Sequence, residues 1–286
     1  MWLILSLLSA LARSTSQVLR KQAVGFTSPV SLTFYLRLLS LPVALTFALV
    51  FGEFDVPTEP IFWLFIVIAG LIETVATVSS LASFKHSEIS RVSPIQASIP
   101  LFLIPLSLIA FGSTPGLVGI LGVLLIVVAL YILNLAKGVS FLEPFKVLIK
   151  HRGSWYMLVY SLLTAVVVIL EKSAFDYASP ATVLIYLYII QLITLLPHMI
   201  TRYEKPKEFP KFLKLMSWIV LVNVAAQMLQ LYSVEQIFAS YAFAVQRLDI
   251  IITIVMGWVL LREPKLLRQL LAGLIALLGV VIVANS

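Results

Sequence analysis

Read along the chain, apolar residues gather into runs of about 20, the length an α-helix needs to cross a bilayer. Ten such runs are legible, at about 2–21, 29–51, 61–84, 88–111, 116–136, 154–175, 180–201, 211–234, 237–261 and 266–285. None shows the alternation of barrel strands, and backbone groups in lipid must find partners within their own segment, so each run predicts a helix.

Polar residues inside the runs fall at helical spacing. Ser6, Ser9, Arg13, Gln17 and Arg20 form one stripe in the first run. Thr33, Arg37 and Ser40 share a face in the second, and Glu73, Thr77 and Ser80 do so in the third. Asn223, Gln227 and Gln230 repeat the third run's spacing in the eighth, and Tyr188, Gln191 and His198 mark the seventh. Residues three, four and seven apart lie on one side of a helix. A charge facing lipid at mid-span costs about 2.5–3.5 kcal/mol on the most lenient scale, so the stripes should face one another around a polar cavity.

The ninth run carries the sharpest anomaly, Gln246, Arg247 and Asp249 within an apolar sequence. Residues two apart in a helix point about 200° apart. In a regular helix Arg247 and Asp249 therefore cannot pair, and each needs a partner elsewhere. Charge balance suggests Asp249 with Arg13 or Arg37, and Glu73 with Arg247. Three arginines against two carboxylates leave one positive charge to receive a carboxylate or phosphate of a solute. Candidate cavity residues are thus Arg13, Gln17, Arg37, Glu73, Thr77, Gln96, Tyr188, Asn223, Gln227, Gln246, Arg247 and Asp249, with Glu73 and Asp249 the candidates for proton coupling.

The chain also repeats itself. VLRKQAVGFTSP (18–29) aligns with ILEKSAFDYASP (169–180) at an offset of 151, while Pro60, Ser83 and Gln96 match Pro210, Ser233 and Gln246 at 150. Each half then holds five runs, and an odd number forces the second copy to enter from the opposite side. The expectation is an all-α membrane protein of ten transmembrane helices in two inverted five-helix repeats, a design that places a site at mid-membrane between the copies. The first repeat covers 1–136 and the second 154–286. The linker at 137–153 contains Phe141, Phe145 and Leu148, which could form one face of a surface helix.

Composition agrees: of 286 residues, 61% are hydrophobic and 12% charged, more apolar surface than a water-soluble domain could hide. The net charge of +7 resides mostly in short loops, which favours a bilayer over nucleic acid as partner. Lys and Arg concentrate in the odd-numbered loops, whereas the loop after the second run holds Glu53, Asp55 and Glu59. By the positive-inside rule the odd loops are cytoplasmic and both termini extracytoplasmic, in a plasma (inner) membrane. No basic residue precedes the first run as in a signal-peptide n-region, so Ala10 and Ala12 are read as part of a retained helix. There is no cysteine, no His-Glu-x-x-His and no Gly-x-Ser-x-Gly, and the three histidines are scattered, so neither a metal, a cofactor nor an enzyme is expected.

Pro94, Pro100 and Pro105 fall in the fourth run, where each removes a backbone donor and favours a kink. Gly116, Gly119 and Gly122, with Gly273, Ala276 and Gly279, suit close packing of the fifth and tenth runs as scaffold, or less favourably a weak homodimer of an otherwise monomeric protein.

The chain resembles the drug/metabolite transporter superfamily, EamA type. The likeness rests on the two five-run halves, on Pro29 followed by Arg37, and above all on LLREPKLLRQLLAGLIALLGVVIV (260–283), with Glu263, Gln269, Gly273 and Gly279 at the family's spacing. Gly112 stands where the first half of many members has the glutamate matching Glu263. The resemblance implies a basket of spans 1–4 and 6–9 around a cavity, spans 5 and 10 beside it, and transport of small amino-acid-like, polar or anionic metabolites. Members commonly keep both termini in the cytoplasm, and the lysine count here argues the reverse. A lipid-carrier flippase is the nearest alternative. It would want a groove open to lipid, whereas polar stripes suit a water-filled cavity.

Overall fold

A computed structural model describes residues 1–87, 89–112, 116–134, 151–202 and 204–252, together with 255–256, 275, 278–279 and 281–282. The expected surface helix at 137–153, apart from its last residues, and most of the tenth run lie outside the described residues. The described elements are helical: α1 (Trp2–Ala23), α2 (Pro29–Val50), α3 (Pro60–His86), α4 (Ile89–Val92), a 3-10 turn (Ser93–Ser98), α5 (Ile99–Phe111), α6 (Leu117–Asn134), α7 (Arg152–Ala174), α8 (Pro180–Thr201), α9 (Phe209–Gln236) and α10 (Ala239–Gln246). Among them α1, α2, α3, α7, α8 and α9 are long and apolar enough to cross a membrane. Their outer faces expose Leu64, Leu71, Val75, Trp218 and Leu221, a surface that lipid solvates without cost.

The starts of α2 and α8 show why the repeated Ser-Pro matters. Ser28 accepts from the Ser31 amide and Ser179 from the Thr182 amide, each followed by proline in the first turn. The serine satisfies an orphan donor, and proline has no donor to orphan. At the other ends, Lys21 of α1 donates to the Phe84 and Ser87 carbonyls at the end of α3. Its repeat mate, Lys172 of α7, donates to the Val234 and Ile237 carbonyls at the end of α9, at 2.7 and 2.6 Å. Each ammonium occupies the carbonyl-rich end of a helix, where positive charge is favoured.

These contacts also give direction. The ends of α1 and α3 meet, so these two run parallel, as do α7 and α9. Ser6 meets Ser233 while Ser16 reaches Asn223, so α1 and α9 are antiparallel. Ser83 at the end of α3 donates to the Gly153 carbonyl at the start of α7, so those two are antiparallel as well. The principal packings are α1 on α9, α3 on α7 and α2 on α8.

Two expected spans are not continuous helices. The fourth run is α4, a 3-10 turn and α5, with prolines in the first turn of both the 3-10 turn and α5. Gly112, at φ 63°, ends α5 in the left-handed conformation that glycine adopts without strain. In the ninth run α10 stops at Gln246, a turn covers Arg247–Leu248, and helix resumes at Asp249. Beside these segments α6 packs on the tenth run where both are described: a Cβ on Gly279 would sit 2.9 Å from the Gly122 carbonyl.

Candidate functional site

The polar stripes converge. Arg13, Gln17, Arg37, Glu73, Thr77, Gln96, Asn223 and Gln227 all line one cavity of about 60 Å³. That volume holds a few water molecules, since one needs about 10–15 Å³ by the same measure. Its walls come from α1, α2, α3, the 3-10 turn, α7 and α9.

Arg37 occupies one side. Its Nε donates to Gln191 Oε1 at 2.8 Å, Nη1 to Gln227 Oε1 at 3.2 Å, and Nη2 to Thr77 Oγ1 at 3.0 Å. Nη2 also pairs with Glu73 Oε1 at 3.5 Å, and Thr77 donates to the same oxygen at 3.0 Å. The guanidinium lies 4.9 Å from the ring centre of Tyr188, whose hydroxyl donates to Gln227. Asn223 Nδ2 donates to Gln227 Oε1 at 2.9 Å, so Gln227 gathers three donors. Tyr188 thus supports the site from behind Arg37 and Gln227 rather than lining the cavity.

Arg13 governs the other side. It donates to Gln230 Oε1 and to the Tyr160 hydroxyl, both at 2.6 Å, and its Nε lies 3.3 Å from Asp249 Oδ2. Gln17 Nε2 donates to the same Asp249 oxygen at 2.9 Å. Arg247 is fully buried behind this group; it donates to Gln96 Oε1 at 3.1 Å, and its Nη2 is 3.8 Å from Asp249 Oδ2. Gln96 closes the ring by donating to Gln17 Oε1 at 3.3 Å. Ser14 Oγ donates to the Asp249 backbone carbonyl at 2.8 Å, tying α1 to the segment after the turn. Gln246 is buried beside this ring but lies off the cavity wall, and neither its amide nitrogen nor its oxygen has a partner among the described residues.

The pairing therefore differs from the charge-balance expectation. Glu73 pairs with Arg37, not Arg247. Arg247 and Asp249 do approach each other, because the turn at Arg247–Leu248 breaks the 100° progression that would have set them on opposite faces. Asp249 consequently serves two guanidiniums, while Arg13 is the one its Oδ2 holds closer.

The cavity also has walls that the stripes did not include. Arg20, Ser80 and Gln230 belong to stripes already read and Ser16 extends one, but Tyr160, Thr164 and Glu171 come from α7. They lie 0, 4 and 11 apart, one helix face, and this spacing was the signal available. Glu171 is the repeat mate of Arg20, so the same position is acidic in one half and basic in the other. Among the described residues Glu171 has no cation within 4.0 Å. No group of three or more metal-binding side chains occurs among the described residues.

The model of the EamA-like transporter family matches residues 1–135 and again 151–285. The chain belongs to the EamA-like transporter family. It is accordingly a multi-pass membrane protein of the drug/metabolite transporter type. No curated protein matches it. A crystal structure shares 13% identity with a TM-score of 0.75, covering 99% of this chain and 96% of that one, a likeness of fold.

Proposed function

We propose that this protein is a secondary transporter that carries small amino-acid-like, polar or anionic metabolites by alternating access, with ten transmembrane helices in two inverted repeats, 1–136 and 154–286, joined by a cytoplasmic linker. The observation that carries the reading is the cavity lined by Arg13, Arg20, Arg37, Glu73 and Glu171 between helices of opposite direction. Guanidiniums present flat, forked donors suited to a carboxylate or phosphate. In the closed arrangement Arg13 and Arg37 hold internal carboxylates and amides, so an entering anion would exchange partners with them rather than meet bare charge. About 60 Å³ admits water but not a metabolite, and the state is read as one closed around the site.

Glu73 and Asp249 are proposed as the proton-coupling carboxylates, because each shares its arginine with the path an anion would take. The lysine-rich loops are placed in the cytoplasm and both termini outside, in the plasma membrane. The direct test is exchange of radiolabelled metabolites by the purified protein in proteoliposomes, with and without a pH gradient. A saturable flux lost in Arg37→Gln supports the reading. Absence of flux across a panel of amino acids, organic anions and phosphate esters overturns it.

A further inference from the structure

A second cavity, of about 670 Å³, opens at the helix ends on the face bearing the lysine-rich loops. It lies between the α1–α2 loop, the end of α3 and the stretch leading into α9. Its floor is apolar, from Val24, Phe26 and Phe84, and Lys85, Lys205 and Lys207 belong to its wall, with Glu204 the only acid among the described residues that line it. Lys21 also borders it but already caps α3.

The repeat shows that this space is not a necessary product of the fold. At the equivalent corner of the other half, Ser179 and Thr182 both donate to the Glu53 carbonyl, at 2.5 and 2.9 Å, and the Asp55 amide donates to Thr182 at 3.0 Å. The α2–α3 loop is thereby laced onto the start of α8. At the basic corner the corresponding stretch is linked by Lys207 N to the Phe26 carbonyl at 2.9 Å, and the buried Thr27 hydroxyl has no partner among the described residues. The charges invert as well. Lys85 and Lys205 match Glu235 and Asp55, and Gly25 matches Asp176.

We propose that this basic corner binds the phosphate headgroup of an anionic phospholipid, with the start of an acyl chain against Phe26 and Phe84. The apolar floor selects an amphiphile over a free anion, and the position at the ends of spanning helices is the level of headgroups. A lysine near a membrane surface contributes about 1 kcal/mol towards an anionic lipid, about fivefold in affinity.

The test uses the purified full-length protein in detergent, with binding of short-chain phosphatidylglycerol, phosphatidylcholine and inorganic phosphate read by native mass spectrometry and by thermal shift. Phosphatidylglycerol is expected to bind and phosphatidylcholine to bind at least tenfold more weakly. Lys205→Gln and Lys207→Gln should each weaken phosphatidylglycerol about fivefold, and the double variant about 25-fold. Glu204→Gln should tighten it. Lys211→Gln, on the same face but paired with Glu208 outside the cavity, should leave it unchanged. Equal loss in Lys211→Gln would reduce the effect to diffuse surface charge and overturn the site. So would equal binding of both lipids, or binding of inorganic phosphate as tight as that of the lipid. Circular dichroism of each variant separates lost binding from lost fold.

Discussion

The two broken segments, Ile89–Phe111 in the first half and the stretch from Ala239 past Asp249 in the second, solve one geometric problem by different chemistry. Both interrupt a helix beside the cavity, and both carry a glutamine at the matched position, Gln96 and Gln246. In the first, the break is covalent. Prolines at the start of the 3-10 turn and of α5 remove amide donors whatever the surroundings. In the second there is no proline. The turn is held from outside by Ser14 on the Asp249 carbonyl and by Arg13 and Gln17 on the Asp249 carboxylate, with Arg247 of the turn itself close by. A break written into the backbone needs no ion pair to hold it, while one written in charges makes the local fold depend on its partners.

The strongest way to break that comparison is Asp249→Leu. The fully buried Arg247 and the half-buried Arg13 would lose their carboxylate, and removing one partner of a buried pair typically costs about 3–5 kcal/mol. Thermal unfolding in detergent should show the largest loss of any substitution in either segment. A loss below about 1 kcal/mol would mean that the charges do not hold the turn. Next comes Gln96→Leu, which removes the acceptor of Arg247 and the donor to Gln17 that join the two segments. A hydrogen bond to a charged group is worth about 1.5–3 kcal/mol, and a double-mutant cycle with Arg247→Met should recover a coupling of about that size. The smallest effect is expected for Pro94→Ala. Proline in a first turn replaces no hydrogen bond, so stability should change by less than about 1 kcal/mol.

Much of this architecture was legible in the residues, and the failures have physical causes. The six long helices follow from apolar length, and their starts at Pro29 and Pro180 from the Ser-Pro pairs. The convergence of Arg13, Arg37, Glu73 and Asn223 follows from the cost of facing lipid. What escaped was anything set by tertiary contact. The angular argument that kept Arg247 from Asp249 assumed an unbroken helix, and the bond from Ser14 that helps break it comes from more than 200 residues away. Glu171 escaped although it lies inside the sixth run, because no polar stripe was read in that run. Yet α7 carries it buried onto the cavity wall, where the matched position in α1 is Arg20. The Lys21 and Lys172 caps could be counted as loop charge but not as helix ends, since the carbonyls they meet lie more than 60 residues away.

Because the sequence has no cysteine, a single introduced thiol reports without interference. Ala226 is a small cavity-lining residue in the middle of α9, and Ala226→Cys disturbs none of the ion pairs. The decisive measurement is labelling of that thiol by a membrane-impermeant maleimide in right-side-out and inside-out vesicles. The alternating-access account predicts reaction from both sides. Reaction from one side alone, or from neither, would contradict it.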